Sequence, residues 1–318
     1  MIRIVEIEEI RRAVAFPEVI DAMRAAVVAQ ARGECDTPMP MHLAIGPEDA
    51  EVHVKSSYRR GGEFFVLKAA GSFPARLARG LSSGSGMMLL FSAATGDPAA
   101  LFLDGGWMTD VRTAAVSAMA ARALGRRDAT LGILGTGTQS RLQAALHAEV
   151  LPLRRVVVWG RSPDRLESCQ RDLAALLPEV EVAAAASPAA VAREASLIVT
   201  ATPARAPLLS PGDVRPGMLL SAVGSDSPGK QELDARILGA ASLLLVDSLA
   251  QCERLGELQH APAEREKAVE LGAFLSSPRP VETQDVVVCD FTGLGVEDLA
   301  IAELAYRKIL DPAPAARR

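Results

Sequence analysis

The chain has 318 residues, of which 49% are hydrophobic and 23% charged, an ordinary globular composition long enough for two domains. A net charge of −5 and 4% aromatic residues give neither the basic field nor the stacking surface that nucleic acid requires. No uninterrupted apolar stretch reaches ~18 residues, so no membrane span is expected, and Met1 to Glu6 is too acidic and too short in its apolar part to read as a signal peptide.

Pro17 to Ala31 reads as an amphipathic helix: Pro17 starts it, Val19, Ile20, Met23 and Val27 share a face, and Gly33 stops it. From His42 to Asp104 the period changes. Residues 42–45, 51–58, 63–70, 86–92 and 99–104 are strand candidates, and Arg60-Gly61-Gly62 is a hairpin turn between two of them. This stretch predicts a mostly antiparallel sheet. A helix is expected from about Asp110 to Leu124, with Thr109 or Asp110 as its cap and Gly125 as its stop.

From Thr130 onward strands and helices alternate. Strands are expected at 130–134, 156–159, 181–184, 197–200, 218–223, 243–246 and 286–289, and helices begin at Ser162-Pro163 and Ser187-Pro188. Such alternation specifies a doubly wound parallel sheet, an α/β fold. A last helix is expected from about Val296 to Leu310, with Glu297 and Asp298 at its start, as the helix dipole prefers. Residues 312–318 read as a frayed tail. Cys35, Cys169, Cys252 and Cys289 are far apart with no Cys-x-x-Cys, which points to a reducing, cytoplasmic setting and to no metal framework.

The stretch with the strongest chemical signal is Leu131 to Ser140. A short buried strand meets Gly135-Thr136-Gly137-Thr138-Gln139 and then a helical pattern. Strand, glycine turn, helix is the context of a dinucleotide fingerprint, with the pyrophosphate on the helix N-terminus. Ser140 stands where the pattern has its third glycine, and the turn alone is also compatible with a strand-to-helix connection without ligand. At the end of the next strand, Gly160-Arg161-Ser162 carries no acid for a ribose 2′-hydroxyl. A guanidinium suits a 2′-phosphate, so Arg161 and Ser162 favour NADP(H), with NAD(H) possible; a solvated arginine beside a helix cap is the alternative.

Three cations attract notice. Lys68 sits inside the apolar run Phe64 to Ala70, where an ammonium must be paired, at a cleft, or on a solvent face; the strand period slightly favours the solvent face. His53 and Lys55 share one face of the preceding strand, and the hairpin could bring them to Lys68 as a site for an anion. The wet side of a half-exposed sheet is the other reading. Arg112 in Thr109 to Ala115 opens a helix against the dipole, which suggests that it clamps a carboxylate instead. Asp226, in Ser221 to Lys230 after a strand, is a candidate acid or base or an ordinary turn former. Thr200-Ala201-Thr202-Pro203, also after a strand, could line the nicotinamide ribose or simply turn the chain.

Together these residues resemble the ornithine cyclodeaminase/mu-crystallin family. The matching stretches are residues 66–68, 95–98, 103–104, 109–115, 135–139, 200–203, 223–234 and 292–295, in order and over nearly the whole chain. The resemblance implies a homodimer of two-domain chains. Residues 1–113, completed by 291–318, would form an α+β substrate-binding and dimerisation domain, into which a Rossmann domain, 114–290, is inserted. It implies Lys68 and Arg112 on the substrate carboxylate and Asp226 handling protons at the substrate nitrogen. The cofactor set it implies is Gly135, Thr136, Gly137, Thr138, Gln139, Arg161, Ser162, Thr200, Ala201, Thr202, Val223 and Thr113. Two departures stand out. His42 occupies the place of an arginine common in the family, and Val54-Lys55-Ser56 replaces a Met-Pro-Ala, so the resemblance offers Lys55 as the replacement for the missing charge.

The expected reaction is hydride transfer at the α carbon of an imino or amino acid. The best match is reduction of Δ1-pyrroline-2-carboxylate to L-proline, with His53 as a reserve proton donor. The alternatives are ornithine cyclodeamination to proline and ammonia, alanine dehydrogenation, and non-catalytic binding of NADPH and a small ligand. No nucleic acid or membrane partner is expected.

Overall fold

The computed structural model describes residues 2–46 and 50–311. The tail expected at 312–318 lies outside these residues. Two compact units appear, one within Met1–Arg112 and Leu294–Arg318, the other Thr113–Gly293.

The first unit begins with β1 (Arg3–Glu6), α1 (Ile7–Ala13) and α2 (Phe16–Ala31), followed by β2 (Cys35–Asp36), β3 (Met41–Ile45), β4 (Ala50–Arg59), β5 (Phe64–Ser72), β6 (Gly84–Ser92) and β7 (Pro98–Leu103). The sheet order is β1-β7-β6-β5-β4-β2, with β3 also on β4. Only β1 and β7 run parallel; the other pairs are antiparallel. The β4–β5 hairpin turns at Gly61, whose φ of 78° suits glycine. Neither β1 nor α1 was expected from the sequence, because four residues of strand and seven of helix are too short to show a period.

Register sorts this sheet's side chains onto two faces. One face carries Val5, Val66, Met88, Leu90, Ala100 and Phe102, all fully buried. The other carries Ile4, Leu43, Leu67, Met87 and Leu103, all exposed. Apolar residues on both faces of a sheet covered on one side only leave an unpartnered apolar surface.

Helix α3 (Trp107–Ala123) starts three residues before the expected Asp110. The expected cap, Thr109 or Asp110, is therefore wrong. The carboxylate of Asp104 instead accepts from the Met108 backbone N–H at 2.7 Å, so an acid just after β7 anchors the first turn. Arg112 then lies in the second turn, where opposition to the dipole is weaker than its sequence position suggested. The boundary between the units falls within α3, after Arg112.

The second unit continues with β8 (Thr130–Leu134), α4 (Thr138–Ala148), β9 (Arg155–Trp159), α5 (Pro163–Leu176), β10 (Glu181–Ala184), α6 (Pro188–Glu194), β11 (Leu197–Thr200), β12 (Arg205–Leu209), β13 (Leu219–Ala222), β14 (Gln231–Leu233), α7 (Ala235–Ala240), β15 (Leu243–Val246), α8 (Leu249–Leu255), β16 (Ala268–Glu270), α9 (Leu271–Ser276) and β17 (Val287–Asp290). Eight of these strands make one parallel sheet in the order β10-β9-β8-β11-β13-β17-β15-β16. Every residue of β11, β13, β15 and β17 is buried, as a parallel sheet covered on both faces requires. The short pair β12–β14 and strand β16 were not expected; three to five residues beside loops carry little pattern.

The chain turns from β8 toward β9 and β10 on one side, then returns to β11 and β13 on the other. The switch point therefore lies at the carboxyl ends of β8 and β11, where doubly wound sheets bind ligands. The chain then returns to the first unit with α10 (Gly295–Ile309), which packs on β4, β5, β6 and α2. A Cβ at Gly295 would stand 2.4 Å from the Ser56 carbonyl oxygen, so only glycine lets the start of α10 lie so close to β4. That approach sets the first-turn acids of α10 against the sheet. No helix of the described residues is long and apolar enough to cross a membrane.

Candidate active site

In the first unit the expected convergence of cations occurs. Lys55 on β4 lies directly opposite Lys68 on β5, and His53 opposite Ala70. Their side chains are on the buried face, not a wet one: Lys68 is 2% exposed, Lys55 6% and His53 8%. The expectation that Lys68 takes a solvent face is thus overturned. Period alone could not see that α10 would cover this end of the sheet with two carboxylates.

Asp298 joins the set. Its Oδ2 is 3.0 Å from Lys68 Nζ, and its Oδ1 accepts from Arg112 Nε at 3.1 Å. Arg112 Nη1 donates to Glu297 Oε2 at 2.9 Å. Both acids are buried. They were read from the sequence only as dipole-friendly residues, although the burial of Lys68 and Arg112 demands such partners. Burial alone would raise the Asp298 carboxyl, but the charges of Lys68, Arg112 and Lys55 hold it below its usual range. Lys68 is the converse. Burial pushes its ammonium down to about 7, Asp298 opposes this, and Arg112 and Lys55 push further down. Asp104, which caps α3, is also buried; burial lifts its carboxyl to about 6, against its backbone hydrogen bonds and the nearby Lys68 charge.

The second unit places its expected cofactor residues along one edge. Gly135 to Gln139 follow β8, Arg161 and Ser162 follow β9, Thr200 ends β11 with Ala201 and Thr202 beyond it, and Val223 follows β13. These strands are neighbours around the switch point. Thr113, half-buried on α3, lies apart from these strand ends in sequence.

The two fingerprint glycines differ in what requires them. Gly135 has φ 131°, and a Cβ there would stand 2.5 Å from the Ala201 carbonyl oxygen. The fold itself demands that glycine. Gly137 has an ordinary φ of −86° and nothing within 4 Å of a would-be Cβ. Open space at the N-cap of an eleven-residue helix, with no side-chain cap, fits a phosphate approaching the backbone. Arg141 braces the turn from behind, donating to the carbonyls of Thr136 and Gly137 at 2.9 Å each. Gly160 leaves space for the Thr136 side chain, 2.4 Å from a would-be Cβ.

Ser162 caps α5, its hydroxyl accepting from the Arg165 N–H at 3.5 Å, while Arg161 is exposed. Thr200 and Thr202 do not turn into open space. Thr200 Oγ1, Thr202 Oγ1 and Thr202 N all donate to Glu232 at 2.7 Å, and Gly224 N at 2.9 Å. Glu232 is fully buried, and burial raises its carboxyl to about 7 despite those four bonds. It ties the loops after β11 and β13 together. In the sequence it is a lone acid between Gln231 and Leu233, with nothing beside it to announce its burial. Asp226 is half-buried and accepts from Lys230 Nζ at 2.7 Å and Ser227 Oγ at 3.1 Å.

A glycine turn at the switch point of a doubly wound sheet is the geometry of a dinucleotide-binding enzyme, and the other unit carries a buried cluster of lysines and arginine. The comparisons with known proteins agree. The model of the ornithine cyclodeaminase/mu-crystallin family matches residues 1–312, and the chain belongs to that family of NAD(P)-dependent oxidoreductases and cyclodeaminases. An uncharacterized cyclodeaminase of Sinorhizobium fredii is 37% identical over 296 residues, covering 91% of this chain and 88% of that protein. A Δ1-pyrroline-2-carboxylate reductase of Bacillus cereus is 28% identical over 317 residues, with 97% of each covered. The crystal structure of the iminosuccinate reductase of Paracoccus denitrificans in complex with NAD+ superposes with a TM-score of 0.85 at 31% identity, covering 96% of this chain and 95% of that one.

Proposed function

We propose that the protein is a cytoplasmic NADPH-preferring reductase that adds hydride to the α carbon of a 2-imino acid, with Δ1-pyrroline-2-carboxylate as substrate and L-proline as product. The observation that carries this reading is the buried alignment of Lys55, Lys68 and Arg112. Like charges gathered away from water are costly unless an anion joins them. The acids of α10 offset part of that cost, yet the Lys68 ammonium still sits near 7. An α-carboxylate completes the balance and fixes the substrate, and orientation is where such cations contribute most to rate.

The dinucleotide is held by Gly135 to Gln139, with Thr200, Ala201, Thr202 and Val223 beside the nicotinamide end and Thr113 contributing from α3. When bound it supplies the hydride. Arg161 receives the 2′-phosphate; its exposure and the absence of an acid at the end of β9 support NADP(H). Asp226 exchanges the proton at the substrate nitrogen, on the strength of the motif that contains it. The exposed apolar sheet face of Ile4, Leu43, Leu67, Met87 and Leu103 supports a homodimer. Four buried, unpaired cysteines suit a reducing compartment.

A panel of imino and amino acids, followed at the NADPH absorbance, tests the reaction. Fast reduction of Δ1-pyrroline-2-carboxylate is the expected result. Proline and ammonia formed from ornithine without added reductant would overturn it. Asp226→Asn is expected to lower kcat and change its pH profile while NADPH binding persists; unchanged kcat across pH would remove Asp226 from the chemistry and leave water or His53 as the proton source.

A further inference from the structure

Among the described residues, one group combines side chains of metal-ligand chemistry: His42 on β3 with Glu51 and His53 on β4. Strand geometry assembles it. Glu51 and His53 are two apart on one strand and share a face. His42 is the direct cross-strand partner of His53. Nε2 of His42 lies 3.1 Å from Glu51 Oε2, and Nε2 of His53 lies 3.6 Å from that same oxygen. One ligand atom from each of the three residues falls within 4.8 Å of the others. The imidazole centroids are 4.9 Å apart with the rings tilted by 53°, so the rings are not stacked.

The two contacts differ in length: His42 is at hydrogen-bond distance from the shared oxygen and His53 only at ion-pair distance. The His53 distance exceeds the usual N–H···O range of about 2.7–3.2 Å. It falls instead near the edge of a tetrahedron built on zinc–ligand bonds of about 2.0–2.1 Å, which is roughly 3.3 Å. The side chains are 32%, 14% and 10% exposed for His42, Glu51 and His53, so exposure falls from His42 inward to His53. The neighbouring register positions are small: Ala70 and Ser72 on β5, then Gly86 and Gly84 on β6.

We propose that His42, Glu51 and His53 bind one divalent transition metal ion of the zinc class through two imidazole nitrogens and one carboxylate oxygen, leaving one coordination position open. Two imidazoles favour Zn2+, Co2+ or Ni2+ over Mg2+ and Ca2+, which take oxygen ligands. The ion outweighs the single carboxylate charge. It therefore extends the cationic row, because Lys55 follows His53 by two residues on the same face. An anionic group, such as a carboxylate, is the chemical class that suits the open position.

The test uses the full chain without an affinity tag, freed of metal with a chelator and titrated with Co2+. The readout is the visible absorption of the bound ion, followed by displacement with Zn2+. One saturable equivalent is expected. His42→Asn and Glu51→Gln should each weaken Zn2+ binding at least about 10-fold, a loss that outer-shell changes alone already produce. His42 lies on β3, which among the described residues pairs with β4 alone, and its side chain is not part of the core. Zn2+ should raise the unfolding temperature of the wild type and not that of His42→Asn, when both start from the same metal-free value. No saturable Co2+ spectrum, or wild-type affinity in both variants, overturns the proposal. Neither measurement needs a dinucleotide or an imino acid, so its outcome is independent of the reductase reading.

Discussion

In the unit that holds the sheet of β1 to β7, buried charges meet one another: Lys68 and Arg112 share Asp298, and Arg112 also takes Glu297. In Thr113–Gly293 the buried carboxylates are held instead by backbone N–H groups and hydroxyls. Glu257 accepts from the N–H groups of Glu232 and Leu233, Asp290 from those of Glu257 and Leu258, and Asp247 from those of Thr292 and Gly293. The consequences are opposite. Cation partners keep Asp298 ionised, whereas burial lifts Glu232 and Asp290 to about 7 and pushes Glu257 up as well. An ion pair can exchange one partner for an incoming anion. A carboxylate fixed by four neutral donors cannot, and its role is to hold loops in place.

The largest effect should come from breaking the ion pairs. Asp298→Ala strands Lys68 and Arg112 together without their shared acid. Removing one partner from a buried pair costs about 3–5 kcal/mol. Urea unfolding of wild type and variant measures it. A loss below about 1 kcal/mol, the range of solvated pairs, would mean that these charges are screened by water.

Next comes the brace in the other unit. Glu232→Ala removes the acceptor from Thr200, Thr202 and Gly224, and one orphaned buried donor alone costs about 1–3 kcal/mol. Dinucleotide affinity should fall with it, because those loops flank the switch point. Glu232→Gln keeps the shape and isolates the proton. Since the native carboxyl is raised from 4.5 to about 7, the folded chain holds a proton that the unfolded chain has released. The wild type should therefore lose stability relative to Glu232→Gln as pH rises from about 4.5 to about 7. Parallel stability–pH curves would show that burial does not raise the Glu232 carboxyl.

A third experiment asks which dinucleotide the second unit prefers. Arg161→Asp removes the proposed phosphate partner and supplies a ribose acceptor, so preference should move from NADPH toward NADH. A charged hydrogen bond of about 1.5–3 kcal/mol corresponds to roughly 10- to 150-fold in relative kcat/KM. A wild-type enzyme that already prefers NADH would show that Arg161 does not read the phosphate.

The same comparison explains what the sequence made legible. The parallel sheet was readable because strands such as Leu197–Thr200 and Leu243–Val246 are uniformly apolar and bounded by turns. Gly135 and Gly137 marked the turn because local geometry and open space each leave a trace in residue type. The fate of Lys68 left none. Its burial depends on Asp298, 230 positions later, delivered by a helix whose approach needs Gly295. Asp104 and Glu232 were equally silent, since a buried acid bonded to backbone N–H groups looks in sequence like any surface acid. The His42–His53 pairing needed the β3–β4 register, which the sequence Gly46-Pro47 between those strands does not fix by itself.

The smallest and most specific expected effect concerns the proton on Lys68. Its ammonium is lowered to about 7, first by burial and then by Arg112 and Lys55, against the pull of Asp298; Asp104 also lies within electrostatic reach. A neutral lysine no longer attracts a carboxylate. With imine reduction as the activity, kcat/KM should decline above about pH 7, approaching tenfold per unit as the proton is lost. Bound substrate opposes that loss, so kcat should hold to higher pH than kcat/KM. Lys68→Arg carries its charge throughout this range. Near pH 7, where roughly half of the wild-type lysine is charged, the variant gains at most about twofold from charge. Its value lies in the shape of the curve: the alkaline decline in kcat/KM should flatten. An unchanged decline in Lys68→Arg would assign that titration to another group, and the proton on Lys68 would then have no part in substrate capture.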